Sequence, residues 1–165
     1  MRLWMMLIPL LLLEISTTAA QPETQPKVQY PCSVVLLPVM DMPNTQGAAL
    51  ITKVKKPYTA DPISPLRERQ SVGIYADWMP DPSSFGDYDQ YEGLVQIPGA
   101  ISWRFKLSAV YTKTSGFFGG QLWAGKTEEI SMDLPVNTRV EVRLFNSKTK
   151  ETGRAIAQNT LQGCK

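Results

Sequence analysis

Few side chains in this chain have types and spacings that could do chemistry. Histidine is absent from all 165 residues, which removes the commonest general base at neutral pH and the commonest zinc ligand. The two cysteines, Cys32 and Cys164, stand far apart in sequence. In an oxidising compartment they are expected to pair with each other and so be lost as nucleophiles and metal ligands. Carboxylates, lysines, tyrosines and serines remain. No G-x-S-x-G surrounds a serine, and no glycine-rich loop is built to cradle a phosphate.

Acidic residues are densest in DWMPDPSSFGDYDQYEG, which carries Asp77, Asp81, Asp87, Asp89 and Glu92. Calcium takes several oxygen ligands from a flexible loop, so these five are the candidate metal ligands. Their spacing departs from an EF-hand, and the competing reading is a solvated turn whose aspartates cap the backbone. No other cofactor is indicated. Glu128 and Glu129 are adjacent, and neighbours in a strand point to opposite faces, which makes them a poor catalytic pair. A glycan-acting enzyme using two carboxylates distant in sequence stays open as the alternative function.

The stretch SGFFGG sets Phe117 and Phe118 between glycines, just before Trp123. These three aromatics are the candidate binding residues. A hairpin tip there either plugs one end of the core or presents its rings to a partner. Lys53, Lys55 and Lys56, followed by Arg67 and Arg69, form the main basic cluster. It reads as charge that guards an exposed strand, or as a patch for acidic glycans or lipid headgroups.

These groups must be positioned by strands. AISWRFKLSAVYTK places Trp103, Phe105, Leu107, Ala109 and Tyr111 at every second position, a strand period rather than a helical one. Val72, Ile74, Ala76 and Trp78 share a face by the same rule, as do Tyr91, Val95 and Ile97. Leu122 with Ala124, then Ile130, Met132 and Leu134, are expected inside, and so are Val140, Val142 and Leu144 against outward Arg139, Glu141 and Arg143. CSVVLLPVM is dense in branched apolar residues but holds Pro38, which favours an edge or a bulge. GRAIAQNTLQGC reads as a strand or a short helix.

The expectation is an all-β protein: an antiparallel β-sandwich of seven or eight strands, with the layer architecture of the immunoglobulin or C2 kind, or else a barrel. Half-wet strand faces argue against a parallel sheet covered on both sides.

Residues 1–20, MRLWMMLIPLLLLEISTTAA, have the charged start, apolar centre and small-residue end of a secretory signal. Glu14 cuts the apolar run well short of the roughly 20 residues that span a bilayer. Cleavage after Ala20 would leave a proline-rich arm at 21–31 and a single domain at 32–165, with no integral membrane segment. With 17 basic and 15 acidic residues, the chain lacks the charge excess that holds nucleic acid. The function expected is therefore a secreted or periplasmic binding module whose partner is a protein or a cell-surface component in an extracellular or envelope assembly. A structural accessory subunit with no ligand of its own is a further alternative.

Overall fold

The computed structural model describes residues 26–42, 44–61, 63–110 and 120–165. The signal read at 1–20, the start of the arm at 21–25, Tyr111 and the Phe117–Phe118 pair lie outside the described residues. Eight strands follow in chain order: β1 Cys32–Pro38, β2 Gln46–Pro57, β3 Leu66–Met79, β4 Gln90–Ile97, β5 Ile101–Val110, β6 Gln121–Ile130, β7 Arg139–Phe145 and β8 Thr152–Thr160. Short 3-10 turns occupy Pro82–Phe85 and Leu161–Cys164. The last segment is thus a strand ending in a helical turn.

All pairings are antiparallel, and the strands close in the order β1-β2-β3-β6-β5-β4-β7-β8. Two strands join the layers by changing partner along their length. β1 pairs with β2 from Cys32 to Leu36, then with β8 at Leu37 and Pro38. β5 pairs with β4 from Ile101 to Leu107, then with β6 from Ser108 to Val110. Pro38 occupies the last register position of β1, where its missing N–H costs the ladder least. The all-β, antiparallel expectation holds, and of its two forms the strands take the closed barrel rather than the open sandwich.

Its interior is filled by the alternating residues of every strand, among them Leu36, Ile51, Val72, Tyr91, Val95, Leu107, Val140, Val142, Leu144 and Ile156, all essentially inaccessible to solvent. Trp103, Phe105 and Ala109 pack against this core in phase with Leu107, as their spacing predicts. The Phe105 ring lies over Gly93, where a β-carbon would come within 2.5 Å of it, so the glycine is required by the ring opposite.

Bulges overturn the predicted phase in two places. Between Ala76 and Met79 the β3–β6 register shifts, Trp78 takes a positive φ of 54°, and its ring turns outward while Met79 fills the core. In β6 the interior positions are Trp123, Thr127 and Ile130 rather than Leu122 and Ala124, and Met132, beyond the strand end, is exposed. The β6 bulge opposes Glu128 and Glu129 to the single Ser71, between the pairs Val72 with Thr127 and Gln70 with Ile130. Both carboxylates reach Lys56 Nζ, at 3.2 and 3.0 Å. The expectation that they face apart does not hold.

Glu141, expected to be wet, lies outside the core cluster but is covered by its neighbours. Its carboxylate is held by Arg143 at 3.0 Å and Arg139 at 3.5 Å, and its side chain keeps only 3% of its exposure. Arg143 also donates to the Gly153 carbonyl.

The described part of the arm is docked. Val28 is buried, its N–H donates to Leu134 O, Val136 N donates to Pro26 O, and Gln29 N donates to Cys164 O. Cys32 and Cys164 are bonded as expected, their Cα atoms 5.7 Å apart, so the first strand is fastened to the turn that follows the last.

β2 and β3 outrun the barrel. Pairing of β2 with β1 ends at Ile51 and pairing of β3 with β6 ends at Gln70, opposite Lys53, but β2 and β3 stay in register as far as Pro57 and Leu66. The result is a short two-stranded ribbon that carries Lys55, Lys56, Arg67 and Arg69, with Lys53 at its base, and that leads into a turn beginning at Tyr58 and ending at Pro65.

Candidate outer-face interaction site

The run CSVVLLP is apolar on both strand faces, and a closed barrel can bury only one of them. Val34 and Leu36 point inward; Val35 and Leu37 remain 59% and 58% exposed. Register then extends the apolar character across the layer. Val35 lies opposite Ala48, Ala48 opposite Tyr75, and Tyr75 opposite Ala124, so that one row crosses β1, β2, β3 and β6. The adjoining row runs Ser33, Leu50, Gly73 and Lys126. Leu50 and Tyr75 are 54% and 53% exposed. Gly73 has no side chain to rise between them, which leaves the surface flat. A cluster of large exposed apolar groups on one face is the mark of a surface that is covered in use.

Of the sequence-predicted binding residues only Trp123 is described, and it is not part of this surface. Trp123 is in the core, edge to face with Tyr91, and its indole Nε1 has no hydrogen-bond partner among the described residues. Phe117 and Phe118 lie outside the described residues. Gly120, which follows them, is needed for closeness rather than for a positive dihedral: a β-carbon there would stand 2.2 Å from the Trp78 carbonyl carbon. The face formed by Val35, Leu37, Leu50 and Tyr75 was missed by sequence reasoning. Its signal is the doubly apolar VVLL run in a protein whose other strands alternate.

The five acids proposed as metal ligands are scattered over separate tasks. Among the described residues no three acids, cysteines or histidines group to hold a metal ion. Asp77 accepts from Trp78 N at the bulge. Asp81 caps the first 3-10 turn through Ser83 N and Oγ, bonds that hold its carboxyl below the usual range. The backbone carbonyl of Asp87 accepts from Asn146 Nδ2. Asp89 accepts from Ser147 Oγ and from Ser147 N at 2.8 Å, which lowers its pKa likewise. Glu92 is buried and accepts from Thr152 Oγ1 at 2.8 Å, a hydroxyl that also receives Arg104. The bonds of Asp87, Asp89 and Glu92 tie the acidic stretch to the β7–β8 hairpin, while those of Asp77 and Asp81 stay local.

Glu92 also lines a shallow groove of about 400 Å³ with Arg104, Lys106, Phe145 and Lys150. Among the described residues no second acid lines it, whereas glycoside hydrolysis uses a pair of carboxylates. No helix among the described residues is long and apolar enough to cross a membrane.

Fold and surface together define a closed, eight-stranded antiparallel β-barrel, fastened by one disulfide and bearing an apolar outer face. The chain belongs to the YoqH family: the family model described as "SPbeta prophage-derived uncharacterized protein YoqH" matches residues 28–165. It is 39% identical over 151 residues to the protein of that description from Bacillus subtilis (strain 168), an alignment covering 91% of this chain and 93% of the relative. No solved structure shows a significant match.

Proposed function

We propose that this protein is an exported interaction module that binds a protein partner, in an extracellular or envelope assembly, through the outer face of β1, β2 and β3. The observation that carries this reading is the in-register apolar row of Val35, Ala48 and Tyr75, flanked by exposed Leu37 and Leu50. Burying such a face gains about 25 cal/mol per Å² of apolar area. Its flatness suits a macromolecule better than a small ligand, which needs concavity. The signal-like form of residues 1–20 and the Cys32–Cys164 bond support an oxidising compartment outside the cytoplasm.

Affinity capture from the extracellular fraction tests the reading. The double substitution Leu50→Asp with Tyr75→Asp should release a protein that the parent chain retains, with little change in melting because neither side chain is in the core. If both forms capture the same proteins equally, the face is not the contact surface.

A further inference from the structure

The β2–β3 ribbon carries a second exposed apolar group, remote from the outer face of the barrel. At its end Ile63 is 89% exposed, Leu66 63% and Tyr58 60%, and none of the three belongs to the core cluster. Pro57, where the ribbon turns, is four residues beyond Lys53, whose partner Gln70 is the last β3 residue paired with β6, or about 13 Å along an extended strand. Nothing in the barrel needs these side chains there.

The turn is nevertheless built. Tyr58 N donates to Pro65 O at 3.0 Å, Thr59 N to Ser64 Oγ at 3.0 Å and Ile63 N to the Asp61 carboxylate at 3.0 Å. The Arg67 guanidinium stacks on the Tyr58 ring, 3.3 Å from its centroid. The tip therefore presents Ile63 and Leu66 from a preformed loop, and the one acid in the turn is occupied by the turn's own N–H.

Charge on the ribbon is one-sided. Five basic residues, Lys53, Lys55, Lys56, Arg67 and Arg69, accompany two acids, Asp61 and Glu68. Glu68 is taken by Lys53, and Lys56 is held by Glu128 and Glu129. Arg69 donates to the Glu129 carbonyl at 3.2 Å, while Lys55 and Arg67 have no carboxylate partner within salt-bridge distance among the described residues. Aliphatic side chains at a tip, an aromatic ring and cations set a few residues behind them match the depth profile of a bilayer surface. Apolar groups enter the acyl boundary, tyrosine lies at the headgroup level, and long basic side chains reach anionic phosphates.

We infer that the β2–β3 ribbon docks on an anionic lipid surface, with Ile63 and Leu66 inserted and Lys55 and Arg67 on the headgroups. This goes beyond the protein-binding role of the barrel face and does not depend on it.

Co-sedimentation with vesicles tests it, using the chain from Gln21 onward, which holds all eight strands and the disulfide. Vesicles of phosphatidylglycerol and phosphatidylcholine should retain the protein, and pure phosphatidylcholine should retain at least tenfold less. Ile63→Asp with Leu66→Asp should weaken retention on anionic vesicles at least tenfold, and Lys55→Glu with Arg67→Glu should do the same, both at an unchanged melting temperature. No retention on anionic vesicles overturns the inference. So does undiminished retention of the Ile63 and Leu66 variant, which would mean adsorption by charge without insertion.

Discussion

Tyr91 and Trp123 meet edge to face across the barrel interior, with ring centroids 5.1 Å apart and planes at 83°. They belong to β4 and β6, which flank β5 and are not paired with each other, so the contact is made through the core rather than along a ladder. Trp123→Ala should cost about 3 to 5 kcal/mol in urea unfolding, because a ring-sized cavity opens in a closed core. Trp123→Phe should cost less, since it keeps an aromatic edge and removes an indole N–H that finds no partner among the described residues. Near-parental stability of the alanine variant would place the ring outside the core.

Reducing the disulfide should lower the melting temperature sharply. The bond closes a sequence separation of 132 residues, for which the chain-entropy account gives about 5 kcal/mol of stabilisation. Thermal melting with and without a phosphine reductant measures it. The same melting point in both conditions would contradict a structural role for the bond.

Glu141→Ala should destabilise the fold by about 3 kcal/mol, the low end for a broken buried pair. The carboxylate is almost fully covered, while Arg143 keeps 29% of its side-chain exposure and a second acceptor at Gly153 O, so water and backbone relieve the stranded cation. A double-mutant cycle with Arg143→Ala should return a coupling above about 1 kcal/mol. Strict additivity would show the pair to be energetically silent.

Acid should separate Asp89→Asn from the parent in a defined direction. Hydrogen bonds from Ser147 hold the Asp89 carboxyl below its ordinary value of 3.8. A depressed folded-state pKa contributes stability that is complete above the ordinary value and is lost as pH falls through the folded one. Asp89→Asn should therefore melt below the parent at neutral pH, and the gap should close in strong acid. A gap independent of pH would assign the effect to lost packing instead.

Strand positions were legible because alternation is a property of single strands. Trp103, Phe105 and Leu107 share the inner side, as their spacing requires. Closure was legible only as an option, since β1 and β5 change partner at points where the sequence carries no marker beyond Pro38. The phase errors at Trp78 and at Trp123 share one cause. A bulge adds a residue on one strand only, and no composition rule distinguished these bulges from uninterrupted alternation. Glu141 was misjudged because Arg139 and Arg143, each two positions away on the same strand, fold over its carboxylate; alternation shows that the three share a face but not that one of them is covered by the other two. The apolar outer face was present in VVLL from the outset, but a doubly apolar strand is equally the pattern of one buried on both sides.

The seam between β1 and β8 consists of two residue pairs, Leu37 with Gln158 and Pro38 with Ala157, while Cys32, at the opposite end of β1, is joined to Cys164. A pull applied across the domain from positions 32 and 164 would be borne by a covalent bond rather than by that short ladder. The oxidised barrel then transmits tension without lengthening. Only after reduction does the chain between the cysteines become available as slack, on the order of 450 Å at the reach of an extended backbone.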